Sequence, residues 1–142
     1  MSSKPKVEVA REHLTKAQEE ADGGDLRDAV QWAFASLEAT IDALAEPRGI
    51  EIDEKHWKRT EAAGELHRRG VLPEDLSGLH RELNELRKGV FYEGDELEPD
   101  DIAIEDTLTQ IETAVEIAEG DESDKSDESV ESDESDNGEE GS

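Results

Sequence analysis

The sequence predicts an all-α protein: an antiparallel four- to five-helix bundle with a disordered acidic C-terminal tail. Three observations predict it. Apolar residues recur at steps of three and four along most of the chain, and no alternating strand pattern appears. Glycines, prolines and capping residues fall between those periodic segments. Residues 121–142 hold eleven acids, one lysine and a single apolar residue, Val130. Such a segment cannot bury enough apolar surface to offset its ordering entropy.

Val7, Ala10, Leu14, Ala17 and Ala21 form the narrow stripe of a first helix. "ADGGD" ends it: glycines supply left-handed conformations, and Asp25 is placed to cap the next helix. The second helix, Leu26 to Ala45, is apolar on most sides through Ala29, Val30, Ala33, Phe34, Leu37, Ile41 and Leu44. A helix so broadly apolar belongs in the middle of a bundle or at a subunit interface. Trp32 and Phe34 lie roughly 160° to 200° apart on the helix wheel. They cannot both point inward, so one is expected to meet another subunit in a homodimer.

Pro47 and Gly49 in "EPRG" break the pattern. A third helix, from near Asp53 to Gly70, is thinly apolar, with Trp57, Ala62, Ala63 and Leu66. Both tryptophans are expected in the core or a dimer interface. Pro73 is placed to open a fourth helix, whose seam is Leu76, Leu79, Leu83, Leu86 and Val90. Pro99 and Asp100 open the last helix, striped by Ile104, Leu108, Ile111, Val115 and Ala118, and Gly120 is expected to close it. The organisation is a flexible N-terminus (1–6), one bundle (7–120) and the tail (121–142). A bundle of that size buries roughly two-thirds of its unfolded surface.

With 142 residues the chain suits one domain. A net charge of -26 excludes nucleic-acid binding through a general electrostatic field. It also disfavours anionic membrane surfaces. The absence of cysteine excludes disulfides and thiolate chemistry. No run approaches the ~18 apolar residues of a membrane span, and "MSSKPKVEVAREH" lacks a signal-peptide core, so a cytoplasmic location is expected. Residues 1–120 alone carry 30 acids against 14 bases. Carboxylates crowd every predicted helix, the pattern of a halophilic surface kept hydrated at high internal salt; an acidic interaction surface is the other reading.

"HLTKAQEEADGGDLRDAVQWAFASLEATIDAL", a helix carrying "KHW", and "LHRELNELRKGVFYEG" before a closing amphipathic helix together resemble the HEPN superfamily (higher eukaryotes and prokaryotes nucleotide-binding domain). The resemblance covers residues 8–119. It implies a helical bundle that commonly dimerises. Many members are metal-independent ribonucleases of toxin–antitoxin or defence systems, and some pair with a small nucleotidyltransferase. Their signature is an arginine, four to six residues, then a histidine. The arginine carries over onto Arg87, but Tyr92 stands where the histidine would be. This sequence is similar to branches with an Arg-x4-Tyr arrangement. A tyrosine near ~10 is a poor base at neutral pH. The resemblance therefore implies a non-catalytic interaction protein that binds a protein partner or a nucleotide, in a toxin–antitoxin or nucleotidyltransferase-associated context. The alternative is an endoribonuclease using Arg87 and Tyr92, with RNA as substrate. No cofactor is implied.

The histidines give no metal site. His56 and His67 stand eleven residues apart, His13 and His80 lie elsewhere, and no pair has the three- or four-residue spacing of helical ligands. His80 reads as an exposed residue beside Arg81 and Glu82. The halophilic reading has a direct consequence for stability. Screening the bundle's self-repulsion should raise its melting temperature by several degrees between dilute buffer and molar salt. Circular dichroism across a salt series checks this, and a flat response removes the reading.

Overall fold

Five helices follow one another: α1 (Lys6–Asp22), α2 (Leu26–Ala45), α3 (His56–Arg68), α4 (Ser77–Tyr92) and α5 (Ile104–Glu134), with a 3-10 turn at Glu46–Arg48 after α2. The computed structural model describes residues 5–52, 56–92, 97 and 101–134; the side chains of 56, 90–92 and 122–134 lie outside that description. Every regular element among the described residues is helical, as the periodicity predicts.

The α1–α2 turn shows how local chemistry sets the boundaries. Gly23 keeps a right-handed φ of -81°, whereas Gly24 takes φ 85°, a region closed to most L-residues. Asp25 then accepts the Asp28 N–H at 3.0 Å, satisfying one of the unpaired donors at the start of α2. Small residues let the two helices approach. Ala10 and Ala17 on α1 and Ala29 and Ala33 on α2 are fully buried, and Ser36 Oγ donates to the Ala10 carbonyl across the gap at 2.8 Å.

α2 is the shared wall of the bundle. It packs on α1 and α5 on one side and on α3 and α4 on the other. Val30, Phe34, Leu37, Ile41 and Leu44 are all buried by these neighbours. The breadth of its apolar surface is thus met inside one chain and does not require a second subunit. Phe34 turns toward α4, where its ring lies 5.2 Å from that of His80. Trp32 turns toward α1, its ring 5.0 Å from His13 and 5.9 Å from the Lys16 ammonium. The wheel argument that these aromatics diverge was sound, but each has its own neighbour.

Ion pairs set the direction of α5. Arg11 donates from Nη2 and Nε to the two oxygens of Glu119 at 2.8 and 2.9 Å, and from Nη1 to Glu112 at 3.0 Å. Gln18 also donates to Glu112. As α1 runs from 11 to 18, α5 runs from 119 to 112, so these helices are antiparallel and α5 lies parallel to α2. Arg11 hydrogen bonds hold the Glu119 carboxyl below its usual range. At Glu112 burial pushes the carboxyl up, but the bonds from Arg11, Glu116 and Gln18 and the Arg11 charge together outweigh it, for a net lowering.

Two predicted boundaries are corrected. Pro73 does not open α4; it sits in the preceding turn, and the helix begins at Ser77, whose N–H is taken by the Asp75 carboxylate at 2.9 Å. Gly120 does not close α5, which continues to Glu134. A glycine ends a helix when it turns left-handed, and Gly120 is not among the positive-φ glycines of the described chain. Asp121, where the tail was expected to begin, is tied to Arg48 by two bonds of 2.9 and 3.1 Å. Pro99 and Asp100 lie outside the described residues, as do 53–55 at the expected start of α3.

Arg11→Ala should cost roughly 1 kcal/mol at neutral pH, the upper range for a partly exposed pair. Because the Glu119 pKa is depressed on folding, this stabilisation is complete above the unfolded value near ~4.3 and is lost as pH falls through the lower folded value. Urea midpoints of the two proteins should therefore differ at neutral pH and converge in strong acid.

Candidate functional site

Glu38 and Asp42 stand four residues apart on one face of α2, and α3 and α4 bring cations and a histidine onto them. Arg59 of α3 donates from Nε and Nη2 to the two oxygens of Asp42, both at 2.9 Å. Asp42 is only 6% exposed at its side chain, so this fork neutralises a carboxylate that water cannot reach. Lys6 adds a longer contact at 3.5 Å. The remaining guanidinium nitrogen of Arg59 lies 4.0 Å from Glu38.

His80 is fully buried between α2 and α3. Its Nε2 lies 2.8 Å from the Glu38 carboxylate and its Nδ1 lies 2.8 Å from the Thr60 hydroxyl. An ionised carboxylate only accepts, so with Glu38 ionised Nε2 carries the proton and, in the neutral ring, Nδ1 accepts from Thr60. Phe34 covers the ring, and Arg87 lies across Phe34, its guanidinium carbon 4.8 Å from the ring centre. Arg87 also donates to Asn84 one turn back on α4 at 3.0 Å.

Thr60 links this buried set to the surface. It lines a groove of about 500 Å³ between α3 and α4, together with Lys58, Arg68 and Arg81 among others. A neighbouring hollow of about 330 Å³ shares Thr60, Glu61 and Arg81 and is bordered by Trp57. Trp57 is 51% exposed, with the Lys58 ammonium 4.7 Å from its ring. Within one chain it is therefore not part of the core, one of the two places expected for it. Gly64 forms part of the floor, where a Cβ would press on the Arg68 guanidinium at 3.3 Å.

Of the candidate pair, Arg87 is half-buried and bound into the α2–α4 packing. α4 passes through Gly89 and ends at Tyr92. The Tyr92 side chain lies outside the described residues. Positions five apart on a regular helix are offset by about 140°. His80, read as exposed, is the most deeply buried histidine described. Arg81 and Glu82 follow it in sequence and suggest a surface position, and the signal that was available is its place among Leu76, Leu79 and Leu83 on the apolar seam. Burial pushes the His13 imidazole below its ordinary pKa, against the opposing influence of Glu12. His67 is exposed, its Nδ1 3.0 Å from the Leu72 carbonyl. Comparison of the chain with family models, with curated proteins and with solved structures gives no match.

The cations of the groove did leave a mark in the sequence. Residues 55–92 hold eight Lys and Arg against six Asp and Glu, while the rest of the chain holds seven against thirty-five. Averaging over a charge of -26 conceals that reversal.

The Arg59–Asp42 fork should dominate the local energetics. Arg59→Ala strands a buried carboxylate and should cost about 3 kcal/mol in urea unfolding. Adding Asp42→Ala in the same chain should recover part of that loss, since the stranded charge is then gone. Additive losses would show that the two side chains act independently.

Proposed function

We propose that this chain is a non-catalytic, HEPN-like helical module that binds a protein partner through the α3–α4 groove. The observation that carries the reading is the position of Arg87. Its guanidinium lies over Phe34 and donates to Asn84, so the arginine that would bind a scissile phosphate is part of the packing of α2 on α4. His80 is enclosed by Glu38, Thr60 and Phe34. The groove offers what an interaction surface needs: an exposed aromatic at Trp57 and a polar rim. Resemblance to superfamily members that pair with a small nucleotidyltransferase or an antitoxin supports a partner of that kind, and homodimerisation belongs to the same proposal.

Two assays decide between binding and catalysis. RNA incubated with the protein in molar salt, where repulsion is screened, should stay intact above the background of an Arg87→Ala control. Cleavage that disappears in Arg87→Ala and Tyr92→Phe establishes the ribonuclease reading instead. Calorimetry against the protein encoded beside this one should show binding that Trp57→Ala weakens at least tenfold, while Arg87→Ala lowers stability more than affinity. Unchanged binding in Trp57→Ala excludes the groove.

A further inference from the structure

We propose that Thr60 is an activated nucleophile, the site at which this chain accepts an acyl group from an uncharged ester or thioester. The proposal goes beyond partner binding and does not require it. Three helices place a hydroxyl, an imidazole and a carboxylate in sequence. The Thr60 hydroxyl on α3 lies 2.8 Å from His80 Nδ1 on α4, and His80 Nε2 lies 2.8 Å from the Glu38 carboxylate on α2. In that order a base, oriented by a third group, activates a weak nucleophile. Glu38 fixes the tautomer that leaves Nδ1 to accept from the hydroxyl. His80 is fully buried, whereas Thr60 is partly exposed and lines both the groove and the hollow beside it. The imidazole is closed to water, and the hydroxyl is open to a substrate.

The lining selects the electrophile. Glu51, Glu61, Glu65 and Asp75 stand in the groove against Lys58, Arg68 and Arg81, and the hollow holds Glu61 and Glu85 beside Arg81. A phosphoryl donor carries charge that these carboxylates repel; a neutral acyl group does not. In the reaction the Thr60 oxygen bonds to the acyl carbon as its proton passes to Nδ1. Arg81, which lines both cavities, supplies N–H donors for the carbonyl oxygen as it turns negative. The bond from carbon to leaving group then breaks, and the group departs with both electrons as a thiolate or phenolate. Such anions leave unprotonated, so His80 need not reach them. The imidazolium yields its Nε2 proton to Glu38, whose side chain is 16% exposed and passes it to water. The same enclosure sets the outcome. Hydrolysis would need a water held at Nδ1, where the ring is shut in by Thr60 and Phe34. One acyl group is therefore retained per chain, a lasting modification without turnover.

The test treats the full chain with p-nitrophenyl acetate, an uncharged ester with a phenolate leaving group, and locates acetyl groups by peptide mass spectrometry. Thr109 and Thr113 are internal standards, because both are more exposed than Thr60 and donate to backbone carbonyls. Thr60 should be acetylated about a hundredfold faster than either, the lower end for assistance by a general base. Its reaction should slow in heavy water, since a hydroxyl proton is in transit. Glu38 acts through His80 as a positioning residue. Glu38→Gln, with helicity unchanged by circular dichroism, should lower the Thr60 rate at least tenfold and leave acetylation of Lys58 as it was. Equal labelling of Thr60, Thr109 and Thr113 overturns the proposal, whatever the variant does. A folded Glu38→Gln protein that labels Thr60 as fast as the original chain overturns it too. Continued release of p-nitrophenolate with no acetyl on Thr60 places the chemistry elsewhere and has the same consequence.

Discussion

The bidentate bond from Arg59 to Asp42 is the constraint on which the α3–α4 half of the molecule depends. α2 is buried on both sides, so a carboxylate in its last turns must either be neutralised or disrupt the wall. The fork ties the start of α3 to the end of α2 and brings Thr60, the next residue, against His80. His80 in turn reaches Glu38 one turn back along α2. Three helices are therefore registered by side chains whose hydrogen-bonding directions leave little freedom. An apolar contact at the same places would allow them to slide.

The rest of the chain's charge is arranged around that registered half. Arg11 gathers Glu112 and Glu119, and Arg48 takes Asp121, so several of the scarce cations are spent where helices meet. Each such pair is half-exposed and individually modest. Their collective effect is orientational, because each cation joins helices that are far apart in sequence. A chain dominated by one sign of charge gains specificity this way: a misregistered helix faces carboxylate with carboxylate.

Much of the fold was legible in the sequence because it follows from periodicity. α2 runs from Leu26 to Ala45 as its apolar pattern predicts, and the stripes of α1, α4 and α5 face the core at Leu14, Leu83 and Ile111. What was not legible depends on tertiary partners. Pro73 carries a valid start signal, but Asp75 supplies a better cap two residues before Ser77. Gly120 is a helix stop only if its φ turns positive, which composition cannot reveal. The buried set of Glu38, Asp42, Arg59, Thr60 and His80 was invisible for a related reason: polar residues are the common surface pattern, and only the crossing of three helices turns these inward. Arg87 was singled out by resemblance, and its actual neighbours, Phe34 and Asn84, lie on one distant helix and one near turn.

The clamp from Arg11 to Glu119 spans 108 residues, whereas the Ser36 bond to Ala10 spans 26. Loop-closure entropy makes the longer closure costlier by about 1 kcal/mol before any packing is gained. The α1–α2 hairpin can therefore assemble as soon as it is synthesised, with its small-residue seam already complete. Its outer face then stays wet until α5 emerges from the ribosome and lies down beside Arg11, so the fifth helix is the one that dries the first.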